Sequence, residues 1–113
     1  MNCGVLCVER LLEELKREKE EILNELEERV TEKGLSVADL MTVMCSHGYQ
    51  AEAYRIIKLP DRVPWIAFDG RHYTAVLRRE KGSWLIYDPN LGEVKVAAWF
   101  YRLFHPRYVI IIR

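Results

Sequence analysis

The chain has no excess of charge: 17 Lys and Arg stand against 17 Asp and Glu. Nothing therefore draws it as a whole toward nucleic acid or an anionic membrane, and neither is expected as a partner. It shows no charged n-region followed by an apolar h-region, and no apolar run near the ~18 residues that would suggest a spanning helix. The expectation is a soluble, cytoplasmic protein. Cysteine is scarce and odd in number, Cys3, Cys7 and Cys45, which excludes a secreted, disulfide-stapled scaffold. Asparagine and glutamine number only three and one, which fits a thermophilic source. There are no repeats and no low-complexity linkers, and half of the residues are apolar, which excludes gross disorder. A length of 113 residues then predicts one domain with one core over 1–113.

The charge is divided along the chain. Glu9 to Lys33 holds ten acidic and six basic residues, and the remainder from Gly34 holds seven and eleven. Two solvated faces explain such a split when the net charge is zero.

The opening stretch Met1-Asn2-Cys3-Gly4-Val5-Leu6-Cys7-Val8 sets a cysteine beside a helix signal. Val8, Leu11, Leu12 and Leu15 share one helical face. Asn2 is an N-cap candidate, so Cys3 falls in the first turn, where the partial positive charge favours a thiolate. Cysteine is also a small hydrophobe, so plain packing is the alternative. Cys7, one turn further on, is expected to be structural.

Helical periodicity runs from Gly4 to Glu32 without a Gly or Pro between Leu15 and Ile22, which leaves one helix or two open. Val8, Leu12, Leu15, Ile22 and Leu26 have heptad spacing that could serve a homodimer, although fewer than four clean heptads favour a helix laid on a sheet. Lys33-Gly34 reads as a helix stop and Ser36 with Asp39 as the next helix start. Val37, Leu40, Met41 and Met44 mark that helix, which ends by Gly48. The period then changes to that of strands at Ala51 to Ile56, Pro64 to Phe68, His72 to Arg78, Ser83 to Tyr87, Glu93 to Val96 and Tyr108 to Ile112. Turns are predicted at Pro60-Asp61, Asp69-Gly70, Arg79 to Gly82 and Asp88 to Gly92, and a helix over Ala97 to Phe104. Residues 1–50 are thus mainly helical and 51–113 mainly antiparallel sheet, an α+β class.

A nucleophilic Cys3 needs a base, and the histidines are His47, His72 and His105. His47 lies beside a helix-ending glycine and His105 before a proline in a loop. His72 opens a strand. A hairpin loop centred on Glu80 pairs Val76 with Trp84 and sets His72 directly opposite Asp88, within reach on one sheet face. That carboxylate could hold one imidazole nitrogen and leave the other for a thiol. A one-residue slip would separate them onto opposite faces.

Six pieces then stand in order: Asn2-Cys3-Gly4-Val5-Leu6-Cys7, Gly34-Leu35-Ser36, His47-Gly48-Tyr49, Val63-Pro64-Trp65-Ile66-Ala67, Arg71-His72-Tyr73-Thr74 and Tyr87-Asp88-Pro89-Asn90-Leu91-Gly92. Together they resemble the papain-like cysteine peptidase family C39, best known from the bacteriocin-processing domains of ABC exporters. The resemblance implies a papain-like fold, with the cysteine helix packed on an antiparallel sheet. It implies Cys3 as nucleophile, His72 as general base and Asp88 as the residue orienting it. The family usually carries a glutamine several residues before the cysteine that helps form the oxyanion hole. Here Cys3 is the third residue, so the candidates left for that task are the Cys3 amide and Asn2, which stands where the family usually has Asp.

The expected function is a cysteine peptidase or related acyl-transfer enzyme acting on a peptide or protein, with no cofactor and no metal. The alternative is a catalytically inactive homologue that binds a peptide or protein partner. A metal site drawn from Cys3, Cys7, Cys45, His47 and His72 lacks zinc-ribbon spacing. An N-terminal nucleophile hydrolase would require processing to expose Cys3. A helix-mediated scaffold over Val8 to Val30 would not need Cys3 at all.

Overall fold

The computed structural model describes residues 2–55, 60, 62–97 and 107–113. The first helix, α1, spans Cys3–Leu15. Asn2 caps it as expected, its Oδ1 accepting the Gly4 amide at 2.8 Å. The helix closes at Lys16, which takes the left-handed conformation at φ 56° and turns its amide onto the Leu12 and Glu13 carbonyls. A second helix, α2, spans Glu20–Arg29, so the long periodic stretch is two helices. Lysine occupies the position that glycine usually marks, and for that reason the break carried no sequence signal.

The helix stop expected at Lys33-Gly34 is corrected. The last residue of α2 is Arg29, and Val30 is already extended. Gly34 does take a positive φ of 92°, but in a tight turn closed by reciprocal backbone bonds with Thr31. The third helix, α3, spans Val37–Ser46. Ser36 caps it by accepting the Asp39 amide at 3.0 Å, and Arg29 and Ser36 together hold the Asp39 carboxyl below its usual range.

Six strands follow: β1 (Ala51–Arg55), β2 (Trp65–Phe68), β3 (Tyr73–Glu80), β4 (Ser83–Asp88), β5 (Gly92–Ala97) and β6 (Tyr108–Ile112). They form one antiparallel sheet in the order β1-β6-β2-β3-β4-β5. The last strand is inserted between the first two, which explains its unbroken apolar run. Ile110 and Ile112 enter one core and Val109 the other. The helix expected over Ala97 to Phe104 lies, beyond Ala97, outside the described residues, as do Ile56, Asp61 and His105.

The helices cover one face of the sheet, and α1 lies along β3. Val5, Val8, Leu11 and Leu12 of α1 are fully buried, in one cluster with Tyr73, Ala75 and Leu77 of β3. Of the heptad set, Val8, Leu12, Ile22 and Leu26 are buried within this one chain, so the periodicity serves its own core. On the opposite face Trp65, Val76, Trp84, Ile86 and Val109 form a second cluster, with the two indoles edge to face at 6.1 Å. Among the described residues no helix is long and apolar enough to cross a membrane.

The Tyr73 hydroxyl donates to the Leu35 carbonyl at 2.7 Å, tying the α2–α3 connection to the sheet within the core. Burial, followed by the Cys3 and Cys7 thiols and Asp39, pushes the Tyr73 hydroxyl toward its neutral, donating form. Tyr73→Phe leaves that carbonyl unpaired. It is expected to lower the unfolding free energy by about 1–3 kcal/mol, read from the denaturant midpoint at unchanged slope.

Candidate active site

Cys3 is the first residue of α1, half-buried, with the Asn2 cap beneath it. The residue after it, Gly4, is pressed against the residue after His72. A Cβ built on Gly4 would stand 3.0 Å from two ring carbons of Tyr73. Only a residue without a side chain lets the helix start lie this close to β3. The Tyr73 ring also stacks on Phe68, with centroids 4.2 Å apart. Gly4→Ala is expected to destabilise by about 1–3 kcal/mol through overpacking. That exceeds the ~1 kcal/mol alanine gains by helix propensity, and thermal unfolding checks it.

His72 and Asp88 meet at this end of the sheet. His72 Nε2 lies 3.2 Å from Asp88 Oδ1, and both side chains are partly exposed. They meet by a different register from the one expected. The β3–β4 turn is the pair Lys81-Gly82, with Gly82 at φ 74°, so Glu80 faces Ser83. Val76 faces Ile86 and not Trp84. Carried straight from the turn, this register would set Asp88 opposite Ala75 and on the other sheet face from His72. A bulge between Val76 and Arg78 advances the pairing by one, giving Ala75 opposite Tyr87. Asp88 then falls beside Thr74, on the face of His72 and diagonal to it, where long side chains still touch. The net displacement is two residues, an even number, and the face is kept.

Asp88 does a second task. Its Oδ1 also accepts the Asn90 amide at 2.8 Å, and its carbonyl accepts the Leu91 amide at 3.0 Å, so the turn into β5 fixes the carboxylate. Cys7 is fully buried beneath the site. Burial, then the Cys3 thiol, then the Asp88 carboxylate push the Cys7 thiol up, so it stays protonated and unreactive. Those same influences place Cys3 and Asp88 in one electrostatic neighbourhood. Among the described residues no hydrogen bond joins the Cys3 thiol to the His72 ring.

The remaining candidates lie elsewhere in the fold. His47 closes α3 and its Nε2 pairs with Glu25 at 2.9 Å. Cys45 is exposed on α3. No three His, Cys, Asp or Glu side chains among the described residues gather as metal ligands. The Asn2 Oδ1 is committed to its cap, and its Nδ2 lies 3.4 Å from where a Gly34 Cβ would be. Asp69 went unnoticed in the sequence except as a turn former, yet its carboxylate holds the backbone at His72. The signal for it was the Asp-Gly pair three residues before the histidine.

Compared with the known protein families, the whole chain, residues 1–113, matches the peptidase C39 family. It belongs to that family. Solved structures agree in fold. The double-glycine-motif protease of an AMS/PCAT transporter, determined with its leader peptide, matches this C39 chain with a TM-score of 0.81. The identity is 18%, over 98% of this chain and 83% of that one. The peptidase domain of Streptococcus ComA, a bifunctional ABC transporter of a quorum-sensing pathway, matches with a TM-score of 0.74. There the identity is 14%, over 98% of this chain and 90% of that one. No curated protein matches the sequence. Three helices on a six-stranded antiparallel sheet are thus the C39 peptidase fold in this chain, as the sequence motifs implied.

Proposed function

We propose that the chain is a cysteine peptidase in which Cys3 is the nucleophile, His72 the general base and Asp88 the residue that orients it. The carrying observation is the His72–Asp88 contact, set at the sheet end where Gly4 brings the start of α1 against Tyr73. With Asp88 accepting from Nε2–H, the lone pair of the neutral ring lies on Nδ1. Nδ1 takes the Cys3 thiol proton as sulfur attacks the peptide carbonyl carbon. The oxyanion forms at the start of α1, where the Cys3 amide has no carbonyl within its own helix to bond. The side-chain candidate for a second donor is Asn2 Nδ2, which lies toward Gly34. The imidazolium returns its proton to the leaving amine as the C–N bond breaks, which leaves a thioester on Cys3. Water, giving a proton to Nδ1, then attacks the thioester carbonyl, and the acid product departs as sulfur recovers the proton.

The substrate class is a peptide. A sequence bearing two consecutive glycines is the first to try, because the structural neighbour with a bound leader peptide is a double-glycine-motif protease. Incubation of such a peptide with the protein, followed by mass spectrometry, is expected to give two fragments from one cleavage. A second reading, a domain that binds peptide without cutting it, is favoured by the unjoined thiol and imidazole. Saturable binding of an uncleaved peptide that persists in Cys3→Ala would select that reading. Neither cleavage nor binding, across peptides with and without paired glycines, would contradict both.

A further inference from the structure

We infer that Asp69 is a positioning residue for His72, acting through the backbone of the β2–β3 turn; the inference rests on the peptidase reading for its role in turnover. The β2–β3 register runs from Trp65 opposite Val76 to Phe68 opposite Tyr73, so the next facing pair is Asp69 and His72. A hydrogen-bonded antiparallel pair exchanges two backbone bonds. Here the Asp69 amide donates to the His72 carbonyl at 3.2 Å, but the His72 amide donates to the Asp69 side chain, to Oδ1 at 2.7 Å. The same oxygen accepts the Arg71 amide at 2.7 Å. One exposed carboxylate oxygen therefore gathers two successive amides. Bonds of this length to an ionised acceptor are the stronger kind, so the carboxylate fixes the backbone from which the imidazole projects.

The turn is braced from outside. Gly70 has φ 104°, and the Arg107 side chain lies over it, with Nη1 3.3 Å from where a Cβ would stand. The Arg107 amide donates to the Phe68 carbonyl at 2.8 Å. The start of β6 thus closes over the Gly70 side of the turn, while Asp69 holds its amides. The two carboxylates divide the work at His72: Asp69 holds its main chain and Asp88 holds its ring.

Ring nitrogen NMR shifts of neutral His72 test this, because they show which nitrogen carries the proton whether or not any substrate is turned over. The parent is expected to show one tautomer, Nε2–H, and Asp88→Ala a mixture. Asp69→Ala is expected to give the same mixture, although it never touches the ring, and Asp69→Asn, which keeps the acceptor oxygen, the parent pattern. Asp69→Glu keeps the charge but displaces the oxygen, and is expected to resemble Asp69→Ala, which covers the case where the alanine variant does not fold. In turnover, Asp69→Ala is expected to lower kcat by about 10-fold to 100-fold with KM little changed, the size of effect that a small misplacement of a catalytic group has. A folded Asp69→Ala or Asp69→Glu with the parent's single tautomer would overturn the inference. A parent that shows the single tautomer but cleaves no peptide would instead count against the peptidase reading alone.

Discussion

Cys3→Ala and His72→Ala are each expected to end peptide turnover, lowering kcat by about 10⁴-fold or more, the order found when a nucleophile or its base is removed. In the proposed mechanism the two residues act as a unit. The double variant is therefore expected to be no slower than either single one, since the second loss removes nothing that still operates. Neither substitution removes a fully buried side chain. Cys3 is half-buried at the edge of the core, where alanine loses only one sulfur at a helix start that favours it at least as well, and His72 precedes its strand with part of its ring in water. Unfolding midpoints should move by less than about 1 kcal/mol equivalent, so lost turnover cannot be ascribed to lost fold. Steady-state cleavage of one peptide, with denaturant melts of the same preparations, checks both halves.

Asp88→Ala has the next largest effect and a different character. In the proposed mechanism the carboxylate makes no bond with substrate: it would select the Nε2–H tautomer and hold the ring plane, and without it the imidazole would still reach the site for part of the time. A drop in kcat of about 100-fold, the lower end of what a positioned base contributes, is expected with KM unchanged. Because Asp88 Oδ1 also accepts the Asn90 amide, some loss of stability accompanies it. Asp88→Asn separates the two: it keeps an oxygen that can accept the Asn90 amide and removes the charge facing His72. Asp88→Asn should keep most of the parent's stability while its turnover falls toward that of Asp88→Ala.

The sequence and the structure agree where local chemistry decides, and part where distant residues do. The Asn2 and Ser36 caps were legible because a short polar side chain before an apolar helical pattern has one efficient use. The strands were legible by their period of two, and β6 by its apolar run. The break after Leu15 was not, because Lys16 adopts the left-handed conformation without the glycine that announces it. Nor was the place of β6 between β1 and β2, which joins residues half the chain apart.

The site lies between these cases. That His72 and Asp88 share a face came through, although the expected loop and register were both displaced. A tighter Lys81-Gly82 turn and a bulge beside Leu77 together move the pairing by an even number of residues. The bulge itself has no marker in the Val76-Leu77-Arg78 stretch. The close approach of α1 to β3 depends on Gly4, whose need becomes visible only once the Tyr73 ring is in place.

The central claim is that Cys3 is a nucleophile activated by His72, and a peptide affinity label measures it most directly. A short peptidyl chloromethyl ketone ending in two glycines, applied in slight excess, is followed by intact mass and peptide mapping. The account predicts one adduct, on Cys3, forming far faster than any on exposed Cys45 and none on buried Cys7, with its formation strongly slowed in His72→Ala. Equal labelling of Cys3 and Cys45, at rates that His72→Ala leaves unchanged, would contradict it.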